Sequence, residues 1–434
     1  MPEIKKAIII GAGPAGIAAA IRLTKHNNIS CTVYELRPVP TTLGGAIGIP
    51  SNGLRLFDRL GLYNALSTKG SVASRFRLHF AQGGGVVEAD VIPEEVRQKT
   101  GFSLMRIKRV ELMDVLLHTA SEMNIPIHFG KKIVTITEDD EEDTKSNSSI
   151  TVTFSDGTTD SADLLLGCDG IHSAVRTQYV DPSCQPEYSG VSGTCVILPT
   201  SALSAESHES LQAINVSLTT EGAFALVPCT AAGDELFFVF SRKVPLPESG
   251  DTRDGWEEHR KKEVESFKNM LLDGVLKDVH GKWGEVLTQA VNGTSSVSFY
   301  PVYRLPLGGR WFRGRCLLMG DAAHAMQPHA GQGVSMAVED VFLLSRLLKD
   351  GEGGDTSLSE VFEKFERVRR PRIDRIYETA ARNGERRKQT GPWGLWAKEW
   401  VMWAGILASK AIGKQVTFIS NPEDLVYDID EVEI

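Results

Sequence analysis

Apolar residues open the chain as an unbroken run. Ala7–Ile10 has no polar position to alternate with, which is the pattern of a strand buried on both faces of a parallel sheet. Small apolar residues from Ala15 to Leu23 then predict a helix, and residues 31–37 (CTVYELR) a second strand. A glycine-rich stretch, 44–62, runs into a short amphipathic helix, and residues 75–80 alternate as a strand. Helical spacing of Val110, Leu112, Met113, Leu116 and Leu117 predicts a helix over 109–123. Ile133–Thr137 and Ile150–Phe154 read as strands, joined by a solvated acidic loop, EDDEEDTKSNSS (138–149). Further strands are expected at 164–167, 195–198, 223–228, 236–240, 295–303 and 317–319. A charged helix is expected near 256–273, a long helix from about 333 to 348, and a helical tail over 358–412.

Strands alternating with helices at both ends, around a middle block of strands with one helix, predict an α/β fold. The first unit is expected to be discontinuous, 1–72 with 100–180 and 305–350. An inserted mixed sheet, 73–99 with 181–304, forms the second, and 351–434 a helical tail. Lys5 and Lys6 before an uncharged run resemble a secretory leader, but glycine spacing favours a strand–turn–helix. No stretch is long and apolar enough to suggest a transmembrane helix.

Gly11, Gly13 and Gly16 stand in GxGxxG register directly after the first strand. The first glycine permits the turn, the second lets backbone N–H groups approach a pyrophosphate, and the third lets helix and strand pack closely. The helix start then offers free donors and a partial positive charge. Glu35 ends the second strand nineteen residues after Gly16, close to the ~20 expected of a carboxylate that binds ribose hydroxyls. An acid there disfavours a 2′-phosphate, so FAD or NAD is the expected ligand.

Charge and cysteine usage narrow the class. Net charge is −9, and no basic stripe suits nucleic acid. Six scattered cysteines without a CxxC pair favour reduced thiols in a cytoplasmic setting, and no metal site is expected.

Two later segments add chemistry. Asp169-Gly170, in CDGIHSAVR (168–176), ends the strand at 164–167, where open α/β sheets place ligands. In RCLLMGDAAHAMQPHAGQGVSMAVEDV (315–341), a strand delivers Asp321, a loop carries His324, Pro328 and His329, and Gly331 and Gly333 open a helix. An acid placed for a polyol, with a bare helix start placed for an anionic ring, describes the ribityl chain and reduced isoalloxazine of FAD.

With these motifs in this order the chain resembles the single-component FAD-dependent aromatic monooxygenases, the group of para-hydroxybenzoate hydroxylase, salicylate hydroxylase and the tetracycline-inactivating monooxygenases. The resemblance covers about residues 5–380, and IKRVEL (107–112) adds a partial match that places Arg109 at the cofactor. It implies a Rossmann-like FAD-binding domain with an inserted sheet that walls a substrate pocket. Ala15, Arg37, Gly48 and Val334 join Gly11, Gly13, Gly16, Glu35, Arg109, Asp169, Asp321, Gly331 and Gly333 as the expected cofactor set. Pro328 and His329 are the candidates beside the flavin ring. NADPH or NADH would reduce the flavin, O2 would form a flavin hydroperoxide, and an aromatic or polycyclic small molecule would be hydroxylated or epoxidised. A single GxGxxG favours transient NAD(P)H binding. An FAD-dependent reductase or dehydrogenase on the same fold is the alternative.

Where the family often carries an arginine that assists phenolates, this chain has Cys195, which favours a neutral substrate. Cys195, Phe224, Phe238, Phe240 and Tyr300 are the pocket candidates. The tail holds Trp393, Trp396, Trp400 and Trp403. Its helix is expected to pack on the FAD-binding domain, with a lid or a membrane-surface helix as the alternatives.

Overall fold

The computed structural model describes residues 3–40, 45–81, 85–139, 149–204, 211–248, 253–294, 296–352, 356–385, 389–411 and 421–434. The acidic stretch expected as a loop lies largely outside the described residues.

Four sheets organise the chain. The first runs Phe312–Arg313, Cys316–Leu318, Leu164–Gly167, Lys6–Ile10, Ser30–Tyr34 and Ile127–His128. All its neighbours are parallel except the Phe312/Cys316 hairpin. Ile8, Ile9, Leu164, Leu165 and Leu166 are fully buried, as continuous apolar runs in a covered parallel sheet must be. The helix Pro14–Asn27 and the helix Gly333–Asp350 join them in one apolar core through Ile17, Ile21, Val338 and Phe342. A three-stranded antiparallel sheet (Ile133–Glu138, Ile150–Phe154, Thr159–Ala162) flanks this unit. A small sheet of Ala46–Ile49, Leu104–Lys108 and Ser71–Ala73 leads toward the second unit.

The second unit is a seven-stranded mixed sheet. Its order is Ser298–Arg304, Glu187–Pro199, Glu235–Lys243, Gly222–Pro228, Ile214–Leu218, Arg75–His79 and Val86–Asp90. Ile214–Leu218 pairs parallel with Arg75–His79, and the other neighbours are antiparallel. Two helices cover one face, Arg253–Asp273 and Gly281–Asn292, where sequence predicts one. The second was readable: Trp283, Val286, Leu287, Ala290 and Val291 fall on one helical face, and all are buried.

The tail is helical over Leu358–Glu385 and Pro392–Ala411. The latter helix was expected to pack on the first unit but packs on the seven-stranded unit. Leu395 joins the cluster of Leu218, Phe224 and Trp283, and Ala81 N donates to Glu399 at 2.8 Å. The chain then returns to the first unit, where Ser51 Oγ donates to Leu425 O and Arg55 and Arg59 grip Asp428.

Candidate cofactor cleft

Three distant motifs meet at the C-terminal edge of the parallel sheet. Gly11 has φ +103°, and a Cβ there would lie 2.4 Å from Cys168 O. A Cβ on Gly16 would lie 2.0 Å from Gly11 O. Only glycine lets the first turn, the helix behind it and the Asp169 loop approach this closely. At Gly320 an added Cβ would meet both Ala15 and Ala337 at 3.2 Å. The first and third motifs therefore touch through a position that cannot carry a side chain. Arg176 joins the second to the third. Its buried guanidinium donates to Ala322 O (2.8 Å), Ile171 O (2.5 Å) and Cys184 O (3.1 Å).

Open space lies beside this packed junction. Nothing stands within 4 Å of a Cβ built on Gly13 or on Gly333, the positions at the starts of the two long helices. Neither helix has a side-chain cap or an acid in its first turn. Unused N–H groups and the positive helix ends are thus left to a ligand. Ala12 N donates to Glu35 Oε2 and Arg37 N to Glu35 Oε1, both at 2.9 Å. These bonds hold the carboxylate beside the glycine turn, and each oxygen keeps a lone pair for a hydroxyl. Arg37 itself is exposed. Asp321 is exposed at the other end of the cleft, without a hydrogen-bond partner among the described residues. Val334 is half-buried, and Gly331 turns the loop with φ +63°. This arrangement fits an extended dinucleotide, with a bare cradle at each end and a carboxylate near each.

Other expected residues take different parts. Asp169 serves its own loop, accepting from Ser173 Oγ, Ala174 N (2.7 Å) and Val175 N (3.1 Å). Burial raises its carboxyl above the usual range. Gly48 lies on the strand opposite Arg106, whose guanidinium stands near the Phe237 ring. Arg109 begins the helix Arg109–Glu122, is exposed, and donates its N–H to Gly45 O at 3.0 Å. Pro328 is exposed, whereas His329 is buried. The His329 ring packs against Gly384, where an added Cβ would meet its Cδ2 at 2.9 Å, and Asn383 Nδ2 donates to His329 O. Its side chain thus wedges the loop against the tail helix.

Sheet register corrects the pocket candidates. Paired residues on neighbouring strands share a face. Phe224 pairs with Phe240, and Phe238 with both Val196 and Leu226. All three phenylalanines are fully buried with Phe267, Trp283 and Leu287 on the helix-covered face, so they pack that core and line no cleft. The opposite face carries Cys195, Val239, Ile197 and Phe237, which cluster with Ala46 of the first unit. Tyr300, paired with Gly193, is on this face and partly exposed. Phe237 was missed because LFFVF offers no polar residue to mark which face is inward. Burial pushes the Cys195 thiol up to about 11, so this position presents a neutral group.

Behind the cleft lies a buried ionic cluster that sequence did not announce. Gly320 N (2.9 Å) and His324 Nε2 (2.7 Å) meet Asp340 Oδ2. Arg369 spans Asp340 Oδ1 (2.8 Å) and Glu339 Oε2 (2.6 Å). Arg372 chelates Glu339 and reaches Asp424 Oδ1 at 3.2 Å. Asn52 Nδ2 bridges Gln332 and Glu339 at 2.9 Å each. Burial pushes both carboxyls up, but Arg372 and Arg369 beside Glu339, and His324 and Arg369 beside Asp340, outweigh it and hold both below their ordinary values.

A family model described as an FAD binding domain matches residues 5–281 and 304–380. The chain belongs to the FAD-dependent aromatic monooxygenase family. This flavoenzyme chain is 27% identical over 379 residues to 6-hydroxynicotinate 3-monooxygenase of Pseudomonas fluorescens, covering 87% of this chain and 90% of that one. It is 25% identical over 395 residues to salicylate hydroxylase of Pseudomonas putida, covering 87% and 85%. Its fold matches Klebsiella pneumoniae HpxO complexed with FAD and uric acid at a TM-score of 0.73, with 22% identity over 91% of each chain. The flavoenzyme fold is therefore a Rossmann-like FAD-binding unit with an inserted mixed sheet and a helical C-terminal region.

Proposed function

We propose that this flavoenzyme is an NAD(P)H-dependent monooxygenase acting on a neutral aromatic or polycyclic small molecule, by hydroxylation or epoxidation. One observation carries this reading: the bare helix starts at Gly13 and Gly333 accompany an apolar sheet face of Cys195, Phe237 and Val239 that clusters with Ala46 of the first unit, with Tyr300 on the same face. Bound FAD supplies the redox chemistry, passing two electrons from NAD(P)H to O2 so that one oxygen atom enters the product and the other leaves as water. The protein's part is to bind, orient and exclude water. The Gly13 helix start takes the pyrophosphate, Glu35 the adenosine ribose and Asp321 the ribityl hydroxyls. The Gly333 helix start stabilises negative charge on the ring. Pro328 and the loop to Gly331 form the ring's edge. The apolar face opposite shields the reacting atoms from water, which would divert the reaction to peroxide. A neutral thiol at Cys195 cannot stabilise a substrate anion, which supports substrates that need no phenolate.

The test is NAD(P)H oxidation by the yellow protein across a panel of aromatic and polycyclic compounds under 18O2. The expected result is substrate-stimulated oxidation with one labelled atom in the product. Turnover that proceeds without O2 would instead assign a reductase or dehydrogenase.

A further inference from the structure

The helix Pro392–Ala411 has two apolar faces and only one is used. Leu395, Glu399, Met402 and Ile406 face the protein, with Leu395 and Ile406 buried and Met402 packed between two clusters. Beside this row around the helix, Trp393, Trp396, Trp400, Trp403 and Leu407 follow one another at intervals of three or four residues, one stripe along a helix about 30 Å long. The four tryptophans are between 42% and 83% exposed. The chain's other three, Trp256, Trp283 and Trp311, are buried. An exposed aromatic row of this length marks an interaction surface.

We propose that this stripe lies on the surface of an anionic phospholipid bilayer. Indole rings favour the headgroup boundary, where an apolar body and an N–H group are both accommodated. No helix among the described residues is long and apolar enough to cross a membrane, and this one is tied to the sheet by its inner face. It therefore rests in the plane of the interface. Charge complementarity names the lipid. In sequence, residues 386–414 carry Arg386, Arg387, Lys388, Lys398, Lys410 and Lys414 against one acid, Glu399, in a chain of net charge −9. Glu399 is buried. A second copy of the stripe would bring the same basic sequence with it, whereas anionic headgroups attract that charge.

The test mixes the full-length holoprotein with vesicles of phosphatidylcholine alone or containing phosphatidylserine, following sedimentation and tryptophan emission. Binding to the phosphatidylserine vesicles, weakened by salt, with a blue shift in emission, is expected. The triple variant Trp396→Ser, Trp400→Ser, Trp403→Ser should lose about tenfold or more in partitioning while keeping its flavin and turnover. Absence of binding overturns the proposal, as does binding that the substitutions leave unchanged. A concentration-dependent dimer that these substitutions dissolve, with no vesicle binding, assigns the stripe to a second copy instead. Should the variant fail to fold, quenching of wild-type emission by brominated lipid decides, and no quenching overturns the proposal.

Discussion

The two ends of the cofactor cleft are built by opposite means. At the first glycine turn the backbone is shaped by what is missing: Cβ atoms at Gly11 and Gly16 would fall within 2.4 Å of carbonyl oxygens. At the Asp321 corner the backbone is held by what has been added. Asp340, Glu339, Arg369 and Arg372 are buried together behind it. Gly11 and Gly16 at the first end leave no room for a Cβ, and the second end tolerates no missing charge. Geometry at one end is thus guarded by steric exclusion and at the other by neutralised ions.

The largest break in this comparison should come from Arg369→Met. It leaves Glu339 and Asp340 with one buried cation fewer, at a cost of about 3–5 kcal/mol in denaturant unfolding. Retention of wild-type stability would show that the cluster is slack. Acid should act on the same end more gradually. Glu339 and Asp340 have folded pKa values below their ordinary 4.5 and 3.8, so the stability they contribute is present above that range and lost as pH falls through the folded values. Unfolding followed between neutral pH and about pH 3 should show this slope, and Arg369→Met should flatten it.

Gly16→Ala probes the other end. Its Cβ would sit 2.0 Å from Gly11 O, so overpacking of about 1–3 kcal/mol is expected, with flavin released at lower denaturant than it unfolds. Smallest in stability is Asp321→Ala. The apoprotein should unfold within about 0.5 kcal/mol of wild type, because the side chain is exposed. Its FAD affinity should still fall about tenfold to a hundredfold, the worth of a hydrogen bond to a charged group. A variant that stays as yellow as wild type on dilution would remove Asp321 from the ribityl contact.

This contrast explains what could be read in advance. The glycine turn is a local constraint, written as spacing between Gly11, Gly13, Gly16 and Glu35. Lys6–Ile10, Leu164–Gly167, Glu235–Lys243 and both long helices were likewise legible, because apolar periodicity is local, whereas the strands Ala46–Ile49, Leu104–Lys108 and Ile214–Leu218 were not read. The ionic cluster was not. Arg369 pairs with a carboxylate 29 residues away and Arg372 with one 52 residues away. Each of these charges alone resembles an ordinary surface residue. Phe224, Phe238 and Phe240 were misplaced for a different reason, since uniformly apolar strands conceal which side is inward.

The return of residues 421–434 to the first unit sets an order of events during synthesis. Asp424, which closes the ionic cluster on Arg372, lies 91 positions after Gly333. At roughly 5–20 residues per second, the ribosome needs about 5–20 s to supply it after Gly333 has been added. Through that interval the Asp321 corner lacks its final clamp, so its full rigidity belongs to the completed fold rather than the nascent one.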